Sequence, residues 1–163
     1  NYTPVFFSTE QAHLVAELAE TILPKTTTPG AKDVGVPAFI DRLVFEVYTE
    51  EGQKEFIQGL DDLNTQARET MGADFVELLP ADRLKFVTQV NEQSLSGTDS
   101  ESEGWWAAGS NAKKPFLLKM KELPLLGFFT SEAGATQVLQ YSEVPGPFKG
   151  CVPLKEVGKA WAT

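Results

Sequence analysis

Apolar residues recur every three or four positions along most of the chain, which is the spacing of one face of an α-helix. The first such stretch begins at Ser8, where the order Ser-Thr-Glu-Gln fits a capping box, and Pro24 ends it. Later helices are expected to begin near Pro37, Gln53, Pro80 and Phe116, with a short sixth helix over Glu132–Leu139. No convincing pair of alternating strand patterns is present. The sequence therefore predicts an all-α single domain of five or six helices.

The apolar stripes of these helices predict one shared core. The residues expected to be largely buried in it are Leu18, Ile22, Leu43, Val47, Leu60, Leu63 and Val87. In the fourth helix the apolar stripe is read as Leu84, Val87 and Val90. Pro124 lacks a backbone N–H, so it is expected to kink or end the fifth helix.

Three stretches lack helical spacing. Lys25–Gly35 carries three threonines, Pro29 and two glycines, and it predicts an ordered loop of the kind that often serves function. Residues 94–112 predict a mobile loop, since their first half is rich in Ser, Gly, Asp and Glu. Residues 141–154 hold three prolines and two glycines, which favours an extended arm laid over the helical body.

Composition narrows the classes of function. The 163-residue chain is long enough to bury a core without disulfides. It has 14 basic and 23 acidic residues, and the resulting net charge of −9 argues against binding to a nucleic-acid backbone. No apolar run approaches the length that spans a bilayer. The absence of an initiator Met suggests a processed chain, so a missing targeting signal carries no information about location.

Few side chains could perform catalysis. The single histidine, His13, is expected on a helix surface, and the single cysteine, Cys151, is expected to be a buried structural thiol, with a reactive or intermolecular thiol as the alternative. The chain contains neither a Gly-x-Ser-x-Gly elbow nor a glycine-rich nucleotide loop. We therefore expect no catalytic residue, no cofactor-binding residue and no metal site in this chain.

An acidic run over 99–104 has the spacing of the first half of a calcium loop. Acids stand at positions 1, 3 and 5 and Gly104 at position 6, but Ser110 occupies position 12, where an EF-hand needs a bidentate acid. We interpret this run as a solvated loop.

Aromatic residues crowd the last third of the chain, around Gly and Pro. They are Trp105, Trp106, Phe128, Phe129, Tyr141 and Phe148. Large aromatic side chains on irregular backbone either fill a core or act as anchors in a protein–protein contact, and the sequence leaves both open.

Two stretches resemble a known family. The first runs from Glu20 through Thr28-Pro29-Gly30-Ala31 to Asp41, and the second runs from Leu126 through Ala133-Gly134-Ala135 to Leu154. Together they resemble the gluconate 2-dehydrogenase subunit 3 family, the small subunits of membrane-associated sugar and polyol dehydrogenases.

The resemblance implies an accessory role rather than catalysis. In such complexes a large flavoprotein of the glucose–methanol–choline type holds FAD and oxidises the substrate, and a cytochrome c subunit usually passes the electrons on. The small subunit is thought to help the large one mature and be exported through the twin-arginine route. The resemblance thus implies a periplasmic protein with a FAD-containing partner.

The second stretch supplies the expected contact with that partner. The candidate interface residues are Thr130, Ser131, Glu132, Gln137, Tyr141, Pro145, Gly146, Phe148 and Cys151. The alternative is that these residues pin the arm to its own helices. Two other functions remain open at this point, namely a stand-alone helical binding protein and an independent enzyme.

Overall fold

A computed structural model describes residues 2–96, 115–144, 146–147 and 150–162. The α-helices in these ranges are α1 (Thr9–Ile22), α2 (Val36–Val47), α3 (Glu50–Met71), α4 (Pro80–Ser96), α5 (Phe116–Phe129) and α6 (Leu154–Val157). A 3₁₀ turn covers Phe75–Glu77 and a π-helical turn covers Gly134–Val138. The described part of the chain contains no strand, only one isolated bridge between Gln140 and Trp161. The predicted all-α fold is confirmed.

Local signals set the helix ends. The Ser8 hydroxyl accepts a hydrogen bond from the Gln11 amide and the Gln11 side chain accepts one from the Ser8 amide, which is the predicted capping box. Gly72 ends α3 in the left-handed region, at φ 80°. The start of α3 was misplaced, because Thr49 caps it through the Gly52 amide and the helix begins at Glu50 rather than near Gln53.

The helices pack around α5, which contacts α1, α2, α3 and α4. Its buried side chains are Leu117, Met120, Leu123, Pro124, Gly127 and Phe128. The prediction that Pro124 would kink or end this helix was wrong about its end, since α5 continues to Phe129. Apolar residues on both sides of the proline pack against the neighbouring helices, and this packing offsets the loss of one backbone hydrogen bond.

Most of the predicted core is confirmed. Leu18, Leu60, Leu63 and Val87 are buried, and Ile22 and Leu43 are partly buried against the core. Val47 was predicted wrongly, because its side chain is 71% exposed at the last turn of α2. Leu84 is likewise exposed, and Phe86 is buried in α4 together with Val87 and Val90.

The chain after Gln140, where the C-terminal arm was predicted, is held by hydrogen bonds of that residue. The Gln140 backbone pairs with Ala160 and Ala162, at 2.8 Å each, and the Gln140 side-chain amide donates to the carbonyls of Val157 and Lys159. The described residues of 141–153 are exposed, and hydrogen bonds at its two ends close this C-terminal loop (residues 141–160). Of the predicted mobile loop over 94–112, residues 94–96 belong to α4 and the remainder lies outside the described ranges.

Truncation to alanine should distinguish the buried side chain of Leu60 from the exposed side chain of Val47, which was wrongly predicted to be in the core. Leu60→Ala removes a fully buried side chain and should lower the free energy of unfolding by about 2–5 kcal/mol. Val47→Ala should change it by less than about 0.5 kcal/mol, because that side chain is already in water. Urea unfolding followed by circular dichroism measures both, and equal losses would contradict this core assignment.

Candidate functional site

The loop that joins α1 to α2 is organised by two carboxylates. Glu20 accepts hydrogen bonds from the backbone amides of Lys25, at 3.0 Å, and Lys32, at 2.9 Å. Asp33 accepts from the Gly30 amide at 3.1 Å and pairs with the Lys25 ammonium at 3.0 Å. The Gly30 hydrogen bond and then Lys25 lower the pKa of Asp33 below its usual value. These bonds give an exposed loop a fixed shape.

Gly30 is required by the close approach of this loop to α1. It is buried, and a Cβ atom there would collide with the Glu20 carboxylate and lie 2.7 Å from the Lys25 nitrogen. Thr26 and Thr27 remain exposed at the loop tip, where the Thr26 amide donates to the Thr28 carbonyl at 3.0 Å. The expectation of an ordered loop is confirmed.

Glu17 ties the same loop to the helical body. Its carboxylate pairs with Arg83 of α4 and with Lys32 of the loop, the latter at 2.5 Å, and both Glu17 and Arg83 are only 14% exposed. Arg83 also donates to the carbonyl of Phe75 at 3.1 Å. Partial burial acts to raise the pKa of Glu17, but Lys32 and Arg83 outweigh it, so the pKa lies below its ordinary value. His13, exposed as predicted, lies 3.3 Å from Glu17.

The end of α5 is shaped by a second close approach. The Ser131 hydroxyl donates to the Phe128 carbonyl at 2.6 Å and accepts from the Gly134 amide at 3.1 Å. Gly134 passes so close to α5 that a Cβ atom would collide with the Phe128 carbonyl oxygen. The short sixth helix predicted over Glu132–Leu139 takes the form of a π-helical turn over Gly134–Val138. Turns of this type are frequent at functional sites.

These two elements meet at one surface depression of about 410 Å³. Asp33 and Val34 line it from the α1–α2 loop, and Ser131–Ala133, Thr136 and Gln137 line it from the segment after α5. The stretches that carry the family resemblance are thus adjacent in space although about a hundred residues separate them in sequence. The depression is open and polar, and it presents hydroxyl, amide and carboxylate groups to solvent.

Apolar side chains are exposed on the last turns of α5, directly before this turn. Leu125, Leu126 and Phe129 are 39%, 49% and 37% exposed, and they share one side of the helix through their spacing of three and four residues. Tyr141 and Val144 follow at the start of the C-terminal loop and are 60% and 81% exposed. A surface of this composition is typical of a protein contact.

The predicted interface residues fall into three groups. Thr130 and Ser131 bond to α5 carbonyls, so part of their role is local structure. Glu132, Gln137, Tyr141, Gly146 and Cys151 are exposed and free to meet a partner. Pro145 and Phe148 lie outside the described residues, as do Trp105, Trp106 and the acidic run over 99–104. The expectation that Cys151 is buried was wrong, because the C-terminal loop leaves it in solvent.

The described residues hold no cluster of His, Cys, Asp or Glu suited to a metal ion. Among the same residues, no helix is long and apolar enough to cross a membrane.

Sequence reasoning missed the role of two buried or half-buried acids. Asp41 is fully buried and accepts hydrogen bonds from the amides of Val5, Phe6 and Phe7. Glu20 organises the α1–α2 loop. A carboxylate at an apolar-face position of an otherwise amphipathic helix was the available signal for Asp41, since burial of an acid requires donors.

The chain matches the family described as gluconate 2-dehydrogenase subunit 3 over residues 9–146. The match includes the α1–α2 loop, α5 and the π-helical turn, and it ends within the C-terminal loop. Comparison with curated proteins and with solved structures gives no significant match.

Gly134→Ala should disturb the turn after α5. The added methyl group would collide with the Phe128 carbonyl, so the free energy of unfolding should fall by about 1–3 kcal/mol. Gly146→Ala is the matched control, because nothing lies within 4 Å of a Cβ atom there. Thermal unfolding of both variants tests this, and equal stability of the two would show that the close approach does not exist.

Acid should weaken the fold through Glu17. The lowered pKa means that the folded chain binds this proton less readily than the unfolded chain, so the stabilisation is present at neutral pH and is lost as pH falls through the pKa. The loss of unfolding free energy between about pH 6 and about pH 3 should be smaller in Glu17→Gln than in wild type. Glu69→Gln, on the exposed face of α3, should behave as wild type. An identical pH dependence in all three proteins would contradict this role of Glu17.

Proposed function

Because the chain belongs to the gluconate 2-dehydrogenase subunit 3 family, we propose that it is the non-catalytic small subunit of a FAD-dependent dehydrogenase. Its partner is the large flavoprotein subunit, of the glucose–methanol–choline type, which holds the FAD and performs the oxidation. The small subunit holds no cofactor of its own and assists the maturation, export or stability of the large one. A cytochrome c subunit is a further partner in the same complex.

One observation carries this proposal. The two stretches that carry the family resemblance meet at one surface depression, which the α1–α2 loop and the segment after α5 line. Leu126 and Phe129, also in the second stretch, are exposed at the end of α5. The loop's fixed shape lowers the entropy lost when a partner orders it. If the motif residues served only to pack the fold, they would not need to be exposed together. Their shared exposure therefore supports a contact with a partner.

The location follows from the same proposal. A small subunit that accompanies an exported flavoprotein works in the periplasm, and a twin-arginine signal would direct the pair there. An acidic surface, from the net charge of −9, keeps such a subunit soluble before it meets its partner.

Co-expression with a flavoprotein of the glucose–methanol–choline type, the proposed large subunit, tests the proposed contact. Leu126→Asp places a charge in the apolar surface of α5 and should reduce recovery of the flavin-loaded complex at least about tenfold. Leu84→Asp is the matched control, since Leu84 is similarly exposed, at 57%, but lies on α4. Tyr141→Ala tests by the same assay whether the exposed side chain at the start of the C-terminal loop contacts the large subunit. Flavin absorbance at constant protein measures recovery, and circular dichroism verifies that each variant is folded.

The same experiment can overturn the proposal. Recovery of the intact complex with folded Leu126→Asp at the wild-type level would place the contact elsewhere. Failure of the wild-type chain to bind any flavoprotein would favour the alternative of a stand-alone helical binding protein. Stoichiometric FAD bound to this chain purified alone would contradict the non-catalytic role.

A further inference from the structure

One residue closes the C-terminal loop. The Gln140 amide donates to the Ala160 carbonyl and the Ala162 amide donates to the Gln140 carbonyl, at 2.8 Å each. The side-chain nitrogen of Gln140 donates to the carbonyls of Val157 and Lys159. Gln140 thus joins the two ends of the loop through both its backbone and its side chain, and we call this arrangement the Gln140 clasp.

The clasp is fixed to the wall of the depression at Asp33 and Gln137. Gln140 follows the π-helical turn closely, and the amide of the intervening Leu139 donates to the carbonyl of Gly134 in that turn at 3.0 Å. Lys159 returns to the same turn, where its ammonium donates to the Gln137 carbonyl at 3.4 Å. Since Gln137 lines the depression, both ends of the loop are attached at its edge.

The loop has few attachments besides the clasp. Among the described residues, the hydrogen bonds that join the loop to the chain before it lead to Gln140 or Gln137. Gly158 has φ 74° close to the Gln140 side chain, and a residue with a Cβ atom rarely adopts this conformation. The position of the loop therefore depends on Gln140 and on the backbone that faces it.

The closed loop exposes large apolar side chains. They are Tyr141, Val144 and Val152, together with Trp161 directly after the loop. The loop sequence carries three lysines and two glutamates, whereas the whole chain has a net charge of −9. The loop therefore lacks the acidity that would attract a basic surface, and its composition fits an apolar surface of a partner.

We propose that Gln140 is a positioning residue for the partner contact, because its clasp holds the C-terminal loop in the shape that presents Tyr141 and Val144 to an apolar surface of the large subunit. This inference rests on the proposed function, since the loop begins at the edge of the depression assigned to that contact. A loop that is already closed loses less conformational entropy on binding. The affinity of the chain is reduced by the fraction of molecules in which the loop is open.

Two variants open the clasp through different atoms. Gln140→Glu is nearly isosteric, but it replaces the side-chain donor with an ionised carboxylate, which only accepts hydrogen bonds and would face two carbonyls. Gly158→Val places a β-branched residue where φ is 74°. Gln93→Glu on α4 is the matched charge control, because the Gln93 side-chain oxygen accepts a hydrogen bond from Gln66 and a carboxylate can do the same.

Amide hydrogen exchange of the chain alone, resolved by NMR and corrected for intrinsic rates, tests the clasp. In wild type the amides of Gln140 and Ala162 should exchange at least about tenfold more slowly than those of Tyr141 and Val144. Both clasp variants should accelerate the Ala162 amide about tenfold or more, and Gln93→Glu should leave it unchanged. Equal exchange of the four amides in wild type, or an unchanged Ala162 amide in both clasp variants, would overturn the proposal whatever the partner.

Binding to the purified large subunit, followed by surface plasmon resonance, tests the positioning role. Both clasp variants should bind at least about tenfold more weakly, through slower association, because fewer molecules present a closed loop. Gln93→Glu should bind as wild type. Far-UV circular dichroism verifies that each variant is folded, and if one clasp variant does not fold, the other decides the question.

The binding data separate this inference from the proposed function. Weaker binding of Leu126→Asp, together with wild-type binding of clasp variants whose Ala162 amide is accelerated, would overturn the role of Gln140 and leave the proposed function standing. Faster dissociation of both clasp variants at an unchanged association rate would also overturn it, because that result is typical of a lost direct contact. A wild-type chain that does not bind the large subunit would contradict the proposed function and this inference with it.

Discussion

The burial of the apolar side of α5 is the constraint on which the rest of the fold depends. Its side chains Leu117, Met120, Leu123 and Phe128 are buried, and such an apolar helix side is stable in water only when other helices cover it. The first four helices do so, and α5 contacts each of them. This cover also explains how Pro124 is accommodated inside the helix, since its ring is buried with Leu123 and Phe128 and the packing outweighs one lost hydrogen bond. Outside this body, the C-terminal loop is held at Gln140, and the side chains that the structure describes in 141–153 are exposed.

The neighbouring helices do not cover the C-terminal end of α5. The apolar side chains exposed there are part of the proposed contact with the partner. Leu125, Leu126 and Phe129 are exposed there, shortly before a turn that Ser131 and Gly134 fix. That turn meets the loop that Glu20 and Asp33 fix. Hydrogen-bonded carboxylates and close glycine contacts thus explain why the motif residues are needed for local shape. The exposed apolar side chains have no such local explanation, and the proposed contact with the large subunit would cover them.

Sequence patterns predicted the positions of the helices better than the burial of individual side chains. Helical spacing located the main helices, and the capping box at Ser8 and the cap at Gly72 set two boundaries, because these signals act within one turn. The burial of Val47 was predicted wrongly, because apolar periodicity continues to the end of a helix even where no neighbouring helix covers that end. The role of Asp41 was missed and the burial of Cys151 was predicted wrongly for a related reason, since burial depends on contacts between distant segments that spacing does not encode. The position of the candidate surface needed the structure, because it joins the loop at Asp33 to the turn at Gln137.

Hydrogen exchange of this chain with and without the purified FAD-containing large subunit tests the central claim most directly. It reads every peptide at once and does not depend on any substitution. The account predicts that amide protection on complex formation is concentrated in residues 23–35 and 125–144, with α3 unchanged on its exposed face. Protection confined to α3 and α4, with the α1–α2 loop and the end of α5 unaffected, would contradict it.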